Sequence, residues 1–192
     1  SVFKKIKIKK LNFATLYFLK NFMKNWTFKK WNTILGWGVF AIAFITYLST
    51  IEPNFSFWDC GEYISSAVKL EVTHAPGAAL FQIMGAVAAI FGFGDPTKYS
   101  VIINGMSALF SSFTILFLFW TITHLVRRLL NKDFEEVTVS DEISILFSGL
   151  IGALAFTFSD TFWFSAVEGE VYSMASMFIA LLFCIFFKSL FV

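Results

Sequence analysis

The sequence predicts an all-α integral membrane protein, a polytopic bundle of about four transmembrane helices with short helices along its outer, non-cytoplasmic face. Of the 192 residues, 57% are hydrophobic and only 15% are charged, whereas a soluble domain averages about 25% charged residues. The mean hydropathy is +0.72. Several apolar runs also approach the length of about 20 residues that a helix needs to cross the hydrocarbon core.

A basic segment precedes the first apolar run. Residues 1–31 contain nine lysines and no acidic residue. Because basic flanks are retained in the cytoplasm, the N-terminus is predicted to be cytoplasmic. Contact with anionic lipid explains such a segment, so no nucleic-acid partner is predicted. Residues 1–22 are either an amphipathic anchor or an extension, and we expect an extension. Residues 32–192 are predicted to form the membrane domain.

The first apolar segment, residues 32–51, is long enough to cross the membrane. Proline follows at position 53 and disfavours helix at the residue before it, so the span is expected to end there. Since the N-terminus is predicted to be inside, the next stretch, residues 53–100, is expected to be an outer loop.

The outer loop is predicted to hold two short helices. Apolar spacing indicates an amphipathic helix over residues 61–72, and Pro76-Gly77 indicates a turn. Residues 78–93 are apolar, but runs of this length are often interfacial rather than spanning.

Charge decides how residues 78–93 are expected to lie. A long apolar segment over residues 101–126 follows them and ends in Arg127 and Arg128. If residues 78–93 crossed the membrane, this arginine pair would lie outside, against the usual preference of basic residues for the cytoplasm. We therefore expect residues 78–93 to lie along the outer face and residues 101–126 to return the chain to the cytoplasm.

The second half is predicted to cross the membrane once in each direction. Residues 129–142 are polar and are expected to be cytoplasmic, with a helix start at Ser140. A third span is predicted over residues 143–158 and a fourth over residues 173–187. Residues 159–172 are then a second outer loop. In this topology six ionisable side chains share the outer face: Asp59, Glu62, His74, Asp160, Glu168 and Glu170.

Asp59 and Glu62 are three residues apart at a helix start and can project to adjacent positions. A carboxylate there can take a proton from a hydroxyl, bind a metal or pair with a cation. Acidic residues also stabilise helix N-termini without any chemistry, and spacing does not exclude that reading. His74 either contacts a phosphate, transfers a proton or only holds the turn that follows it.

A second acidic site consists of Glu168 and Glu170 beside Tyr172, although these acids could also be simple helix-start residues. Cys60 and Cys184 show no metal-type spacing, and the sequence contains no phosphate-binding glycine loop and no serine-hydrolase motif. No metal site and no cofactor are predicted from these patterns, and dependence on a divalent metal is left open.

Two motifs carry a resemblance to a known family. The first reads W-D-C-G-E from Trp58 to Glu62 and T-H-A-P-G-A-A-L-F from Thr73 to Phe81. The second reads V-E-G-E-V-Y-S over residues 167–173. Together they resemble the D-x-G-E…H-P-P-G-x-P-L-F and V-E-x-E-V-Y signatures of a membrane family related to protein O-mannosyltransferases. The chain looks like an N-terminal portion of such a protein.

The resemblance implies a GT-C glycosyltransferase, a multi-spanning helical enzyme that moves a sugar from a polyprenyl phosphate to an acceptor outside the cytoplasm. The donor is then expected to be a polyprenyl-phosphate sugar, with mannose as the sugar, and the acceptor a protein. Membrane lipid is the other expected partner. The expected location is a bacterial inner membrane, with the site on the periplasmic face.

The resemblance also ranks the site residues. Asp59 is expected to be the catalytic carboxylate, and Glu62 to support it or to orient the acceptor. The family often has proline where this chain has Ala75, and a small residue where it has Cys60. The remaining candidates are expected to bind substrate or to hold the loop: His74, Glu168, Glu170 and Tyr172.

Two other functions remain open at this stage. A non-catalytic subunit or scaffold would keep the same helices. A transporter would carry carboxylates inside its spans, and the predicted spans contain none. A transferase needs a cation for the departing phosphate, and the outer loops offer three candidates for it: Lys69, His74 and Lys98.

Overall fold

A computed structural model describes residues 13–75, 77–130 and 136–189, and every regular element in these ranges is helical. Four of the helices contain segments long and apolar enough to cross a membrane. This confirms the predicted all-α polytopic membrane bundle. The helices, in chain order, are α1 (Phe13–Ser49), α2 (Cys60–Lys69), α3 (Ala79–Ala89) with a 3₁₀ turn (Ile90–Gly92), α4 (Pro96–Leu129), α5 (Val139–Thr157), α6 (Asp160–Ala166) and α7 (Val171–Ser189).

α4 is the central helix of the bundle. It packs against α1, α5 and α7, and its side chains Ile103, Ile115 and Phe119 are fully buried. A glycine allows the close approach of α5, because a Cβ at Gly149 would lie 2.6 Å from Cγ2 of Thr123 on α4. The other long helices therefore surround α4 and take their positions from it.

Functional candidates collect at one end of the bundle, where α1 and α5 end and α4 and α7 begin; we call this the loop end. The buried Tyr47 hydroxyl of α1 donates a hydrogen bond to the carbonyl oxygen of Thr157 at 3.0 Å. Just beyond α1, the N–H of Glu52 donates to the carbonyl oxygen of Val167 at 3.2 Å. The first bond joins α1 to the end of α5, and the second holds the segment after α1 against the segment before α7.

The short helices α2 and α3 pack against each other and against α4 at the loop end. A Cβ at Gly85 of α3 would lie 2.8 Å from Cβ of Ala67 on α2, so glycine is what allows this distance between the helices. Tyr63 and Phe81 pack edge to face, with ring centroids 5.7 Å apart. α2 matches the amphipathic helix predicted over residues 61–72, and residues 78–93 form α3 and its 3₁₀ turn.

Two helix boundaries differ from the sequence prediction. α2 ends at Lys69 because Leu70 adopts the left-handed conformation, with φ at +55°. α5 begins at Val139 instead of near Ser140, because Thr138 is the N-cap. Its hydroxyl oxygen accepts from the N–H of Asp141 at 3.2 Å, which completes a capping box.

Two further segments differ from the sequence prediction. Residues 159–172, expected to be a loop, contain the short helix α6. α1 begins at Phe13 and runs without a break past the boundary predicted between residues 1–31 and 32–192. Residues 1–12 lie outside the described part of the chain, as do residues 131–135 of the polar connection, so the extension proposed for residues 1–22 stays a prediction.

Candidate active site

The segment between α1 and α2 is anchored by Asn104 of α4. Its side-chain amide donates hydrogen bonds to the carbonyl oxygens of Glu52 and Asn54, both at 2.8 Å. Asn104 itself is fully buried. Since unpaired carbonyls are costly next to an apolar core, these two bonds fix the path of the chain toward Asp59.

Trp58 and Asp59 directly precede the first residue of α2. Trp58 has φ at +62° and is 87% exposed. This conformation is uncommon for a bulky residue and is often found at functional sites. Asp59 is the N-cap residue of α2, but its carboxylate makes no capping hydrogen bond. The Asp59 carboxylate is therefore not used by the helix and remains available for other contacts.

The chain returns to the start of α2 through a left-handed helix cap. The N–H of Leu70 donates to the carbonyl oxygen of Ala67 at 3.2 Å, and the N–H of Glu71 donates to that of Ser66 at 2.9 Å. This is the hydrogen-bond pattern of a Schellman motif. It reverses the chain and brings the residues after α2 back beside its first turn, where His74 lies.

We call Asp59, Glu62 and His74 the carboxylate–histidine cluster. The backbone N–H of His74 donates to Oε1 of Glu62 at 2.7 Å, and Nδ1 of its ring lies 3.0 Å from Oε2 of the same carboxylate. Nε2 of the ring faces Oδ2 of Asp59 at 3.7 Å. All three side chains are exposed, and three of their potential ligand atoms lie within 4.8 Å of one another.

Interactions within the cluster shift the pKa values of Glu62 and His74. Hydrogen bonds from the backbone N–H and the ring of His74 lower the pKa of Glu62. The hydrogen bond to Glu62 and its charge raise the pKa of His74, and the charge of Asp59 adds to this. Glu62 is therefore ionised at neutral pH and holds the histidine ring in one orientation.

We call Glu168 and Glu170, in the segment between α6 and α7, the buried acid pair; they are 3% and 6% exposed. The hydroxyl of Ser56 donates to the carboxylate of Glu168, a contact between residues 112 positions apart. Gly169 sits between the two acids against α4 and α2. A Cβ there would lie 2.9 Å from Oδ1 of Asn104 and 3.1 Å from Cγ1 of Ile64.

Burial raises the pKa of both carboxyls of the pair. It raises the pKa of Glu168, opposed by the Ser56 hydrogen bond and reinforced by the charge of Glu52. Burial, followed by the charges of Glu168 and Asp59, raises the pKa of Glu170 to about 7. A pKa of about 7, as at Glu170, is what a proton-transferring carboxyl needs at neutral pH, and structural acids can show it too.

The two acidic motifs meet at Tyr63 of α2. Burial raises the pKa of its hydroxyl, and the charges of Asp59, Glu170 and Glu62 raise it further. Glu170 in turn is close enough to Asp59 to feel its charge. The structure thus brings the carboxylate–histidine cluster and the buried acid pair together at the loop end.

Of the three candidate cations, His74 lies in the cluster. Lys98 forms an ion pair with Asp95 at 3.1 Å. Lys69 is at the far end of α2, ten residues from Asp59, which is about 15 Å along a helix. Neither lysine is placed to supply positive charge beside Asp59. Burial raises the pKa of the Cys60 thiol, which disfavours its thiolate form.

Sequence reasoning missed part of this site. Asn104 was not among the predicted site residues, yet it holds the loop that leads to Asp59. Neither Ser56 nor Tyr63 was predicted to be a site residue. The signal for Asn104 was available, since a polar amide inside an apolar span usually has a specific partner. Tyr172, expected to bind substrate, is 60% exposed beside the buried acid pair.

Comparison with known proteins bears on this arrangement. Residues 59–190 match the family model described as the protein O-mannosyl-transferase TMEM260 N-terminal domain. The chain belongs to this family. The match begins at Asp59 and includes both the carboxylate–histidine cluster and the buried acid pair, so the family resemblance inferred from the two motifs is confirmed.

The relatives that the chain resembles include two named proteins. One, from Dictyostelium discoideum, is a protein O-mannosyl-transferase tmem260 that is 29% identical over 144 residues, covering 75% of this chain and 16% of the relative. The other, from Mus musculus, is a protein O-mannosyl-transferase TMEM260 that is 29% identical over 145 residues, covering 75% of this chain and 18% of the relative. No solved structure matches.

The chain thus spans less than a fifth of the length of these relatives. Both relatives are eukaryotic, so the bacterial inner membrane stays a sequence-based prediction without support from them. The coarser statement, that this is an integral membrane protein, agrees with the four spanning helices.

Proposed function

We propose that the protein is a GT-C-type membrane glycosyltransferase that moves a sugar, mannose in the first instance, from a polyprenyl phosphate to a hydroxyl of a protein acceptor. The observation that carries this proposal is the meeting of the carboxylate–histidine cluster with the buried acid pair at the loop end, inside a family whose named members are protein O-mannosyl-transferases.

The proposed reaction is a displacement at the anomeric carbon. The acceptor hydroxyl gives its proton to the Asp59 carboxylate while its oxygen forms a bond to C1 of the sugar. The bond between C1 and the phosphate oxygen breaks, and its electron pair leaves with the polyprenyl phosphate. Asp59 suits the role of base because its side chain is about half exposed, at 53%, and makes no capping hydrogen bond.

Glu62 and His74 act as a unit in this proposal. Glu62 fixes the imidazole through two hydrogen bonds, and the imidazole faces Asp59. The ring can therefore hold the base in place or contact the leaving phosphate. The buried acid pair lines the inner side of the site, where Tyr172 is exposed enough to contact a substrate.

The transporter alternative loses its main support. It requires carboxylates within the membrane-spanning helices. In the described spans, acidic residues occur only in the first turn of α5, as Asp141 and Glu142. A non-catalytic scaffold would not need the arrangement around Asp59, and the donor experiment below separates it from the enzyme.

The donor experiment uses the full-length protein reconstituted in liposomes with a peptide rich in serine and threonine. We expect labelled mannose to appear on the peptide when polyprenyl-phosphate mannose is supplied, and not when nucleoside-diphosphate mannose is supplied. Polyprenyl-phosphate glucose is the control for the sugar. Transfer from the nucleotide donor alone, or none from any lipid donor, would contradict the proposal.

The proposed face is the non-cytoplasmic one. α3 and its 3₁₀ turn together have 14 residues, about 21 Å of helix, which is too short for a hydrocarbon core of about 30 Å. If they do not cross, Arg127 and Arg128 fall on the side of the N-terminal lysines, as basic residues prefer.

Cysteine labelling tests this topology. Lys98→Cys is a better reporter than a change at Gly94, whose φ of +82° disfavours a side chain. We expect an impermeant maleimide to label Lys98→Cys in intact cells, and the control Ser140→Cys only after permeabilisation. The native cysteines are buried and give a low background. Labelling of Lys98→Cys only after permeabilisation would contradict the proposed sidedness.

A further inference from the structure

Trp58 has a backbone conformation that the local secondary structure does not explain. Its φ is +62°, in the left-handed region that a bulky side chain disfavours. Of the described residues other than glycine, only Leu70 and Phe93 share this region. Each of these two follows a helical turn, and its N–H donates to the carbonyl oxygen three residues back, at 3.2 Å and 3.1 Å. Trp58 instead precedes a helix, so capping of a helix end explains Leu70 and Phe93 but not Trp58.

The Trp58 side chain gains no packing in return for this strain. It is 87% exposed, so almost none of its apolar surface is covered. Within residues 13–75, 77–130 and 136–189, the indole makes no ring contact and its N–H has no hydrogen-bond partner. Strained residues that the fold itself does not use cluster at active sites and at points that hold a ligand.

The position of Trp58 in the chain indicates which ligand this is. Trp58 is bonded directly to Asp59, so their Cα atoms are about 3.8 Å apart. In the proposed reaction Asp59 takes the proton of the hydroxyl that attacks C1, and the sugar must therefore lie beside Asp59. The side chains of Asp59 and His74 are about half exposed, at 53% and 48%, so a ligand can reach this place from solvent.

The chemistry of an indole fits a sugar ring. One face of a pyranose presents C–H bonds, which pack well against the negatively polarised face of an aromatic ring. The indole N–H can also donate a hydrogen bond to a sugar hydroxyl. A tryptophan that only anchored the loop at the membrane interface could do so from an ordinary backbone conformation, so anchoring leaves the strain unexplained.

We propose that Trp58 binds the sugar of the donor lipid, with its indole packed on the C–H face of the pyranose ring beside Asp59. The left-handed backbone is retained because it presents the indole at this place. This inference rests on the proposed function for the nature of the donor. Sugar binding does not require transfer, however, and can be measured without it.

The test compares two lipids that differ only in the sugar, polyprenyl-phosphate mannose and polyprenyl phosphate. Their binding to the purified full-length protein is measured in detergent without an acceptor peptide. We expect Trp58→Leu to weaken binding of the mannose-bearing lipid by about 10-fold, the factor that one aromatic contact contributes, and to leave binding of polyprenyl phosphate unchanged. Trp58→Phe keeps an aromatic face and should weaken binding of the mannose-bearing lipid by less than about threefold.

Phe93→Leu is the matched control. Phe93 is also left-handed and 88% exposed, but it lies between α3 and α4, away from Asp59 in the chain. This variant should bind both lipids as the unchanged protein does. An equal loss of the mannose-bearing lipid in Phe93→Leu and Trp58→Leu would contradict a specific role of Trp58.

Thermal unfolding separates sugar binding from a structural role of Trp58. Glycine adopts positive φ freely, so the Tm of Trp58→Gly should be no lower than that of the unchanged protein, although this variant loses the sugar contact. A lower Tm would make Trp58 a structural residue and overturn the inference. Unchanged binding of both lipids by Trp58→Leu would overturn it too, and equal loss of both would make Trp58 a contact for the lipid chain or the phosphate.

The outcomes also distinguish this inference from the proposed function. Binding of mannose that depends on Trp58, without transfer to a peptide, would support the inference and contradict the proposed function. Normal transfer and normal binding by Trp58→Leu would do the reverse. If the unchanged protein bound the mannose-bearing lipid no better than polyprenyl phosphate, the inference would fail whatever the transfer rate.

Discussion

Replacing Asp59 by asparagine should reduce sugar transfer by about 10²–10⁴-fold, the usual contribution of a general base. The change keeps the size of the side chain and removes its ability to take a proton. Because Asp59 is about half exposed and makes no capping bond, the fold should not depend on the charge. The measurement is the initial rate of mannose transfer from the lipid donor in liposomes.

Asp160→Asn is the matched control for this variant. Asp160 is an exposed acid in the first turn of α6, near the same end of the bundle but outside the cluster. Its substitution should leave the rate within about twofold of the unchanged protein, as expected for a solvated surface carboxylate. An Asp59→Asn protein that transfers at the normal rate would remove Asp59 from the mechanism and leave Glu170 as the next carboxyl to test.

Replacing Gly169 by alanine should destabilise the protein by about 1–3 kcal/mol, the usual cost of overpacking. The new Cβ would meet Oδ1 of Asn104 at 2.9 Å and Cγ1 of Ile64 at 3.1 Å. Both contacts are tighter than side chains normally tolerate, so the segment holding Glu168 and Glu170 must shift. The measurement is thermal unfolding in detergent, together with the transfer rate, which should also fall.

Gly38→Ala is the control for a change from glycine to alanine. No atom lies within 4 Å of a Cβ at Gly38, which is in the middle of α1. This variant should be neutral, or more stable by up to about 1 kcal/mol through helix propensity. If Gly169→Ala were as stable and as active as Gly38→Ala, the close contact with Asn104 and Ile64 would not be what positions the buried acid pair.

Asp59 and Gly169 belong to different parts of one arrangement. Asp59 is exposed, and the surrounding backbone sets its position. Gly169 is buried and allows two acids to approach α4 and α2. The charge of Asp59 contributes to the raised pKa of Glu170. A change at Gly169 should therefore also affect the chemistry at Asp59, although the two residues are 110 positions apart.

The spanning helices were predictable from the sequence because each one forms its own backbone hydrogen bonds, and its apolar length can be read directly from the residues. Residues 143–158 and 173–187 correspond to α5 and α7 within a few residues. α6 was missed, since a helix of seven residues has too few positions for a clear period. The end of α2 was misplaced because the left-handed residue that ends it is Leu70, whereas glycine is the usual residue at this position.

The site was predictable only in part. The family resemblance selected Asp59, Glu62, His74, Glu168 and Glu170 from sequence, and the placement of both motifs on one face came from charge. Their mutual geometry was not predictable, because it depends on contacts between residues far apart in the sequence. Ser56 meets Glu168, and Gly169 meets Asn104, through the packing of α4 against both loops.

The sequence by itself determined that this is a helical membrane protein of the O-mannosyltransferase-related type, because apolar length, basic flanks and two short motifs are local properties. Only the tertiary structure decided that Nε2 of His74 faces Asp59, and that Glu170 is buried within reach of the charge of Asp59. The physical reason is that the return of the chain after α2 and the hydrogen bonds of Asn104 set these distances, and neither leaves a periodic signal in the sequence.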